Sequence, residues 1–403
     1  MHIFLVTHYF PPESNAPANR AVEHARAWVA LGHRVTVVTA QPSHPGGRLY
    51  PGYRNVFARE TMDGIEVIRL KTFIAENKGI AARSLAFTSF LTAVAKARGK
   101  LPRADVVVST SPQFFSGLAG RLLKRKGARW VLEIRDLWPE SILAVGAMGR
   151  NPAIRALEWL EGWAYRSADL VVTTTDAHRA HVLAKRGREG VVTIRNGITP
   201  GLLESDASAG TVFRAEHGLE GKFVAAYVGT HGMAHALDTV LDAAELTRER
   251  DDIHWLLVGD GAERARLAGE AARRDLPNLT MLGHQARERV PAIWAASDAA
   301  LVLLKKSDTF RSVLPSKLVE AMALGKPAIL GVEGEAEAVL HSAGAGIAIP
   351  PQDARALADA AIRLADDPAL VKAISERGRR HARTEFDRTK LAGRMAAAME
   401  TLR

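Results

Sequence analysis

The sequence contains no cysteine, which excludes disulfides and thiolate-bound metal. No stretch reaches the about 18 uninterrupted apolar residues that a membrane-crossing helix needs. The longest apolar run, Ser84 to Ala95, suits a buried or interfacial helix. At the start, His2 to Val6 is apolar, but Tyr9 to Glu13 breaks the run with two prolines. That is too short for a signal-peptide core. Aromatic residues make up only 6% and are not interleaved with the basic clusters, as a stacking platform for nucleic acid requires.

Several phosphate and hydrolase motifs are missing as well. Gly325-Lys326 lacks the earlier glycine and the following hydroxyl of a Walker A loop, and Gly259-Asp260-Gly261 has Arg264 where a dinucleotide fingerprint needs its third glycine. There is no G-x-S-x-G, H-E-x-x-H or EF-hand loop, and no Asp-x-Asp pair to bridge a metal to a diphosphate. A phosphate bound here would be held by helix N-termini and basic side chains, without a metal.

What is present is a soluble globular composition, with 403 residues, 47% hydrophobic and 24% charged. At roughly 150 residues per domain this predicts two or three domains. The net charge of +10 is unevenly placed. Residues 1–200 carry 28 Lys and Arg against 15 Asp and Glu, while residues 201–403 carry 26 against 29. Clusters at Lys96–Arg103 and Arg121–Arg129 give the first half a basic field suited to a polyanionic partner: an anionic membrane, a phosphorylated acceptor or nucleic acid.

Short β-branched runs alternate with helical patterns throughout. Strands are predicted at Ile3–Thr7, Val35–Thr39, Glu66–Leu70, Val106–Ser109, Trp130–Ile134, Leu170–Thr174 and Val191–Ile194, then at Phe223–Val228, Trp255–Val258, Leu279–Leu282, Ala300–Leu304, Ala328–Val332 and Gly346–Ile349. Most are continuous apolar runs, the signature of parallel strands covered on both faces. The fold class is therefore α/β, built from βαβ units. A helix at Ala21–Leu31 closes at Gly32. Both halves open with strand, loop and helix, and Gly197 to Gly218 reads as the linker. Ligands of such sheets bind beyond the carboxyl ends of the strands.

The segment Leu314 to Pro327 is the most informative. Pro315 and Ser316 open a helix that ends at Gly325, with Ser316 expected as its N-cap. The free N–H groups of that first turn form an anion site, to which Lys317 adds a charge. Glu320 lies one turn on, on the same face, where a carboxylate can accept hydrogen bonds from vicinal hydroxyls.

The order "PSKLVEAMALGKP", preceded by "IWAASDAALVLL" and "LVGDGAERARL", resembles the donor domain of glycosyltransferase family four. The likeness extends over nearly the whole chain through "THYFPPESNAPANRAVEHARAWVALGHRVTVVTA", "EIRDLWPES", "RNGI" and "YVGTHGMAHALDTVLDAAE". Within the family it looks closest to the branch that builds O-antigen, capsule and exopolysaccharide, including fucosamine- and colanic-acid-type transferases. The resemblance implies the GT-B architecture of two facing Rossmann-like domains with a cleft between them. Residues 1–196 would bind the acceptor, 197–209 link, 210–384 bind the nucleotide sugar, and 385–403 form a helix crossing back.

The resemblance also assigns residues. Glu320 matches the second glutamate of the Glu-x7-Glu motif, which implies ribose contact, but Ser312 stands where the first glutamate belongs. The Arg and Lys that grip the diphosphate in relatives are not evident in "GTHGMAHALD". Thr230 or His231 stands near the arginine position and His235-Ala236 near the lysine. Lys317 is the candidate replacement and Arg311 the reserve, while Gly229 lets backbone amides approach the phosphate. Leu314 and Pro315 complete the donor set. Arg135-Asp136 replaces the family's His-Asp. Arg135 cannot be a base but can stabilise a leaving diphosphate, and Asp136 is the candidate to orient or deprotonate the acceptor hydroxyl. Asp136 can also cap a turn at Leu137–Ile142. Polar residues of the His8–Arg20 loop, namely Glu13, Asn15, Asn19 and Arg20, are expected near the acceptor.

The function implied is metal-independent, cofactor-free, retaining transfer of a hexosyl or N-acetylhexosaminyl group from a nucleotide donor, expected to be UDP-linked, to a lipid-diphosphate-linked or saccharide acceptor. The expected location is cytoplasmic, peripheral on the inner face of the membrane, with no nucleic acid bound. Two alternatives stay open: a GT-B nucleotide-sugar epimerase, and a non-enzymatic nucleic-acid binder.

Overall fold

The computed structural model describes residues 1–44, 46–74, 80–111, 114–140, 151–198 and 207–402. It divides into two compact units, Met1–Asn196 with Arg388–Arg403, and Gly197–Asp387.

The first unit contains β1 (His2–Val6), β2 (Arg34–Ala40), β3 (Ala58–Met62), β4 (Ile65–Leu70), β5 (Val106–Thr110), β6 (Arg129–Ile134), β7 (Leu170–Thr173) and β8 (Val191–Thr193). They form one sheet in the order β3-β4-β2-β1-β5-β6-β7-β8. All neighbours are parallel except β3, which runs antiparallel to β4. Side chains alternate between its two faces. Ile3 and Leu5 join Trp28 and Val35 on one face, while Phe4 and Val6 join Phe90 and Val94 on the other. Both faces are covered, which is why the strands read as unbroken apolar runs.

The second unit contains β9 (Phe223–Val228), β10 (Ile253–Val258), β11 (Leu279–Leu282), β12 (Ala299–Leu303), β13 (Ala328–Gly331) and β14 (Gly346–Ala348). Their order is β11-β10-β9-β12-β13-β14, all parallel. Ala225 and Tyr227 face one core with Trp255 and Leu257, and Val224 and Ala226 face the other with Leu256 and Val258.

The α/β class and every predicted strand are therefore present. The strand not anticipated is β3. It lies at the sheet edge, its residues alternate between partial and full exposure, and its sequence has no apolar run to announce it. The first helix spans Ala16–Ala30, five residues earlier than predicted at its start, because the Asn15 side chain caps it by accepting from the Ala18 N–H at 2.9 Å. Gly32 follows its end at φ +82°.

The apolar Ser84–Ala95 run lies in the helix Ile80–Ala97. There Phe90, Val94 and Ala97 are buried. No helix among the described residues is long and apolar enough to cross a membrane.

Of the segment expected to link the units, 199–206 lies outside the described residues, and its end is helical rather than irregular. The helix Ala207–Glu216 begins there and buries Phe213. Gly210 allows that helix to press on its neighbour, since a Cβ would stand 2.7 Å from the Ala295 carbonyl carbon.

After Asp387 the chain returns to the first unit. The helix Arg388–Glu400 buries Leu391, Ala392, Met395, Ala396 and Met399 in the cluster that holds Ile3 and Trp28. Each large side chain so buried contributes about 1.5–3 kcal/mol. The Trp28 indole N–H donates to the Ala392 carbonyl at 3.0 Å, and Arg388 pairs with Glu23.

Candidate functional site

In the second unit, successive strands run outward in one direction from β9 and in the other from β12. Loops leaving the carboxyl ends of such a pair diverge and open a crevice. β9 ends in Gly229, at φ +146°, whose N–H donates to Val258 at 2.8 Å. β10 ends in Gly259, where a Cβ would stand 1.9 Å from the Gly229 carbonyl oxygen. Only glycine fits so close an approach of two loops.

β12 leads through Asp308–Ser312 into the helix Ser316–Leu324. Pro315 is its N-cap, in an extended conformation and with no side-chain hydrogen bond. Ser316 is therefore the first helical residue, not the cap as expected, because proline's fixed φ already sets the entry. The first-turn N–H groups keep their anion-binding character. Gly325 ends the helix at φ +65°.

Lys317 and Gly229 meet at this crevice. A Cβ on Gly229 would stand 2.5 Å from Lys317 Cε and 2.9 Å from Nζ. The glycine thus makes room for the lysine as well as for a ligand. The ammonium lies 4.8 Å from the centre of the Tyr227 ring, a cation–π contact. Burial lowers the pKa of Lys317, and Glu320 opposes that shift. Glu320 and Leu314 are half-buried, Leu314 packing on the core. Arg311 is exposed and pairs with Glu333 at 3.2 Å, so its charge is matched within the unit. Ser312 donates to the Thr309 carbonyl at 3.1 Å.

In the first unit the corresponding divergence lies between β1 and β5. Asp136 follows β6, and it is exposed. The protein around its carboxyl nevertheless raises its pKa, with Arg135 acting in the opposite direction. Of the turn expected at Leu137–Ile142, residues 141 and 142 lie outside the described residues. Arg135 donates its backbone N–H to Ser111 at 2.9 Å, and its buried Nε has no hydrogen-bond partner.

The polar residues of the His8–Arg20 loop expected near the acceptor have partners within the first unit. Glu13 is buried and accepts the backbone N–H groups of Ser43 and His44 at 2.9 Å and of Phe10 at 3.3 Å. Asn15 is the helix cap. Arg20 is buried against Glu133, with Nη2 to Oε1 at 2.7 Å, and also donates to the carbonyls of Ile194 and Arg195. Asn19 donates to the Ser14 carbonyl at 3.4 Å. Unpaired backbone donors and a charge inside an apolar strand must be satisfied, and these residues do so.

Glu133 itself was missed. Burial alone would raise its carboxyl, but Arg20, His24 and Arg135 hold it down to about 2. The signal was a charged residue inside the apolar Trp130–Ile134 run, which requires a buried partner. Of the two histidines noted near the relatives' arginine and lysine positions, His231 is fully buried and His235 is half-buried. No group of three or more His, Asp or Glu among the described residues is arranged to hold a metal ion.

Residues 15–197 match the family described as glycosyl transferase 4-like domain, and residues 211–381 match glycosyl transferases group 1. The chain is 27% identical over 340 residues to the putative colanic acid biosynthesis glycosyl transferase WcaI of Escherichia coli K12, covering 81% of this chain and 82% of that one. Among solved structures, sucrose-phosphate synthase from Thermosynechococcus elongatus superposes with a TM-score of 0.76 at 21% identity, covering 100% and 98% of the two chains. Anabaena Alr3699/HepE in complex with UDP superposes with a TM-score of 0.71 at 18% identity, covering 100% of both. These two likenesses share the fold.

Proposed function

As this chain belongs to the glycosyltransferases, with a 4-like domain in its first half and a group 1 domain in its second, we propose that it transfers a sugar from a UDP-linked donor, with retention at the anomeric carbon and without a metal, to a lipid-linked or saccharide acceptor in bacterial surface polysaccharide synthesis. The observation that carries this reading is the crevice at β9 and β12. There the open first turn of the helix Ser316–Leu324, the Lys317 ammonium and the gap left by Gly229 come together. That combination suits a diphosphate. Anabaena HepE, seen with UDP and with UDP-glucose, supports the choice of nucleotide, and the colanic acid relative supports the product class.

The second unit binds the donor in this reading. Lys317 and the helix N-terminus stabilise the diphosphate as it departs. Glu320 accepts hydrogen bonds from the ribose hydroxyls. Leu314 and Pro315 shape the entry to the helix, and Arg311 acts in reserve. The first unit binds the acceptor, with Asp136 orienting or deprotonating its hydroxyl and Arg135 supplying positive charge. Asn19, half-buried in the first turn of the first helix, is offered for acceptor contact. The basic clusters of this unit support a peripheral location on an anionic membrane surface, proposed to be the inner face.

A UDP-release assay over a panel of nucleotide sugars, with membrane lipid extract as acceptor, tests the proposal. Release that depends on both a UDP-sugar and the extract is expected. Turnover without any acceptor, with an epimerised nucleotide sugar as product, would overturn it in favour of an epimerase.

A further inference from the structure

Tyr227 has three nitrogen-bearing neighbours at the crevice. The Lys317 ammonium stands 4.8 Å from its ring centre, the His231 ring 5.9 Å and the His235 ring 5.8 Å. His231 has 0% of its surface exposed, and neither of its ring nitrogens completes a hydrogen bond. Buried polar groups without partners are costly and uncommon. Its backbone is fixed in place. The N–H donates to Asp260 at 2.8 Å, and the carbonyl accepts from Glu263 at 2.9 Å. A Cβ on Gly261 would stand 2.5 Å from that carbonyl oxygen. The loop therefore holds an unsatisfied imidazole beside the open helix N-terminus and its lysine.

Burial first, and neighbouring positive charge second, lower the pKa of both rings. Burial lowers His231 most, Arg264 and Lys317 lower it further, and Asp260 and the Val258 carbonyl act the other way. Burial takes His235 down to about 4, with Lys317 and His231 adding to it and the Leu303 carbonyl opposing. The cluster lacks only negative charge to reverse this balance, and a diphosphate supplies it.

We propose that the half-buried His235 joins Lys317 as a diphosphate ligand, with the buried His231 against the same Tyr227 ring, and that an imidazole of this pair takes up one proton from solvent as the nucleotide sugar binds. The inference rests on the donor-site reading above. A ring that gains a proton only in the complex links affinity to pH. Its contribution is present below the free-state pKa and is lost as pH rises through the raised pKa of the complex. In this chain histidines thus do part of the work that permanently charged side chains would do.

The probe is UDP-glucose. Free UDP titrates near neutrality at its own terminal phosphate, whereas the sugar-linked diphosphate does not. Calorimetry at pH 6.0 and 8.5, each in two buffers of different ionisation enthalpy, should show binding about tenfold tighter at the lower pH, which corresponds to an imidazole pKa raised to about 7 in the complex. It should also show net proton uptake. The double variant H231N/H235N, checked for folding by its thermal transition, should bind with no pH dependence and no uptake. Should that variant not fold, the wild-type buffer comparison still decides, with H235N alone as its partner.

Wild-type binding that is independent of pH and takes up no proton would overturn the proposal and leave the donor site standing. Uptake that persists unchanged in the folded double variant would assign the proton to another group, such as Lys317, and overturn it too. Failure of UDP-glucose, GDP-mannose and ADP-glucose alike to bind would overturn the donor site itself.

Discussion

Gly229 and Lys317 occupy one another's space: a side chain on the glycine would stand 2.5 Å from the lysine's Cε. The strand that ends in Gly229 and the helix that starts beside Lys317 are far apart in sequence. The pair therefore tests whether this crevice is the donor site.

Gly229→Ala should displace the ammonium and strain a backbone held at φ +146°. Loss of one charge-assisted contact costs about 1.5–3 kcal/mol, so affinity for the UDP-sugar should fall by about 10- to 100-fold. Lys317→Met should give a loss of the same order, and the double variant should lose little more than either one. Additive losses in a double-mutant cycle of calorimetric affinities would separate the two residues.

Glu320→Ala should weaken UDP binding strongly while leaving the thermal transition close to that of the parent. The carboxylate lies on the helix face next to Lys317, and its removal takes away charged hydrogen bonds worth about 1.5–3 kcal/mol each. Unchanged UDP affinity by titration calorimetry would remove the ribose assignment.

Asp136→Asn should lower turnover by about 10²–10⁴-fold, as expected for a positioned proton acceptor, with donor affinity nearly unchanged. Equal losses in turnover and donor affinity would instead mark the residue as structural.

Glu133→Gln should destabilise the first unit by about 3–5 kcal/mol, because it leaves Arg20 buried without its counter-charge. In the parent, Glu133 is held at about 2 against roughly 4.3 in an unfolded chain. A carboxylate with a depressed folded pKa stabilises the fold above the unfolded value, and that stability drains away as pH falls from there through about 2. The contribution is of order 3 kcal/mol. Denaturant unfolding at pH 7 and pH 3 reads a little over half of it, about 1.7 kcal/mol, and the Gln variant should lose less stability between the two. An equal loss in both proteins would dissociate Glu133 from the acid sensitivity.

Local chemistry alone made much of this protein readable. Parallel strands covered on both faces are apolar at most positions, so thirteen strands announce themselves, and the helix Ser316–Leu324 is bracketed by Pro315 and Gly325. The edge strand Ala58–Met62 gave no such sign because one side of it faces solvent. Lys317 and Glu320 were visible as a pair because helical spacing fixes which residues share a face. Tertiary structure decided the rest. Asn15 caps its own helix three residues on. Glu13 and Arg20 looked like residues free to bind a ligand, yet their partners are backbone groups and a carboxylate supplied by other segments. Only folding brings those partners within reach. The same holds for His231, whose burial and unpaired nitrogens arise from the meeting of two glycine-bearing loops. A sequence records which side chains can carry charge or donate a proton. Whether each one is satisfied inside the protein or left for a ligand depends on contacts between segments distant in the chain.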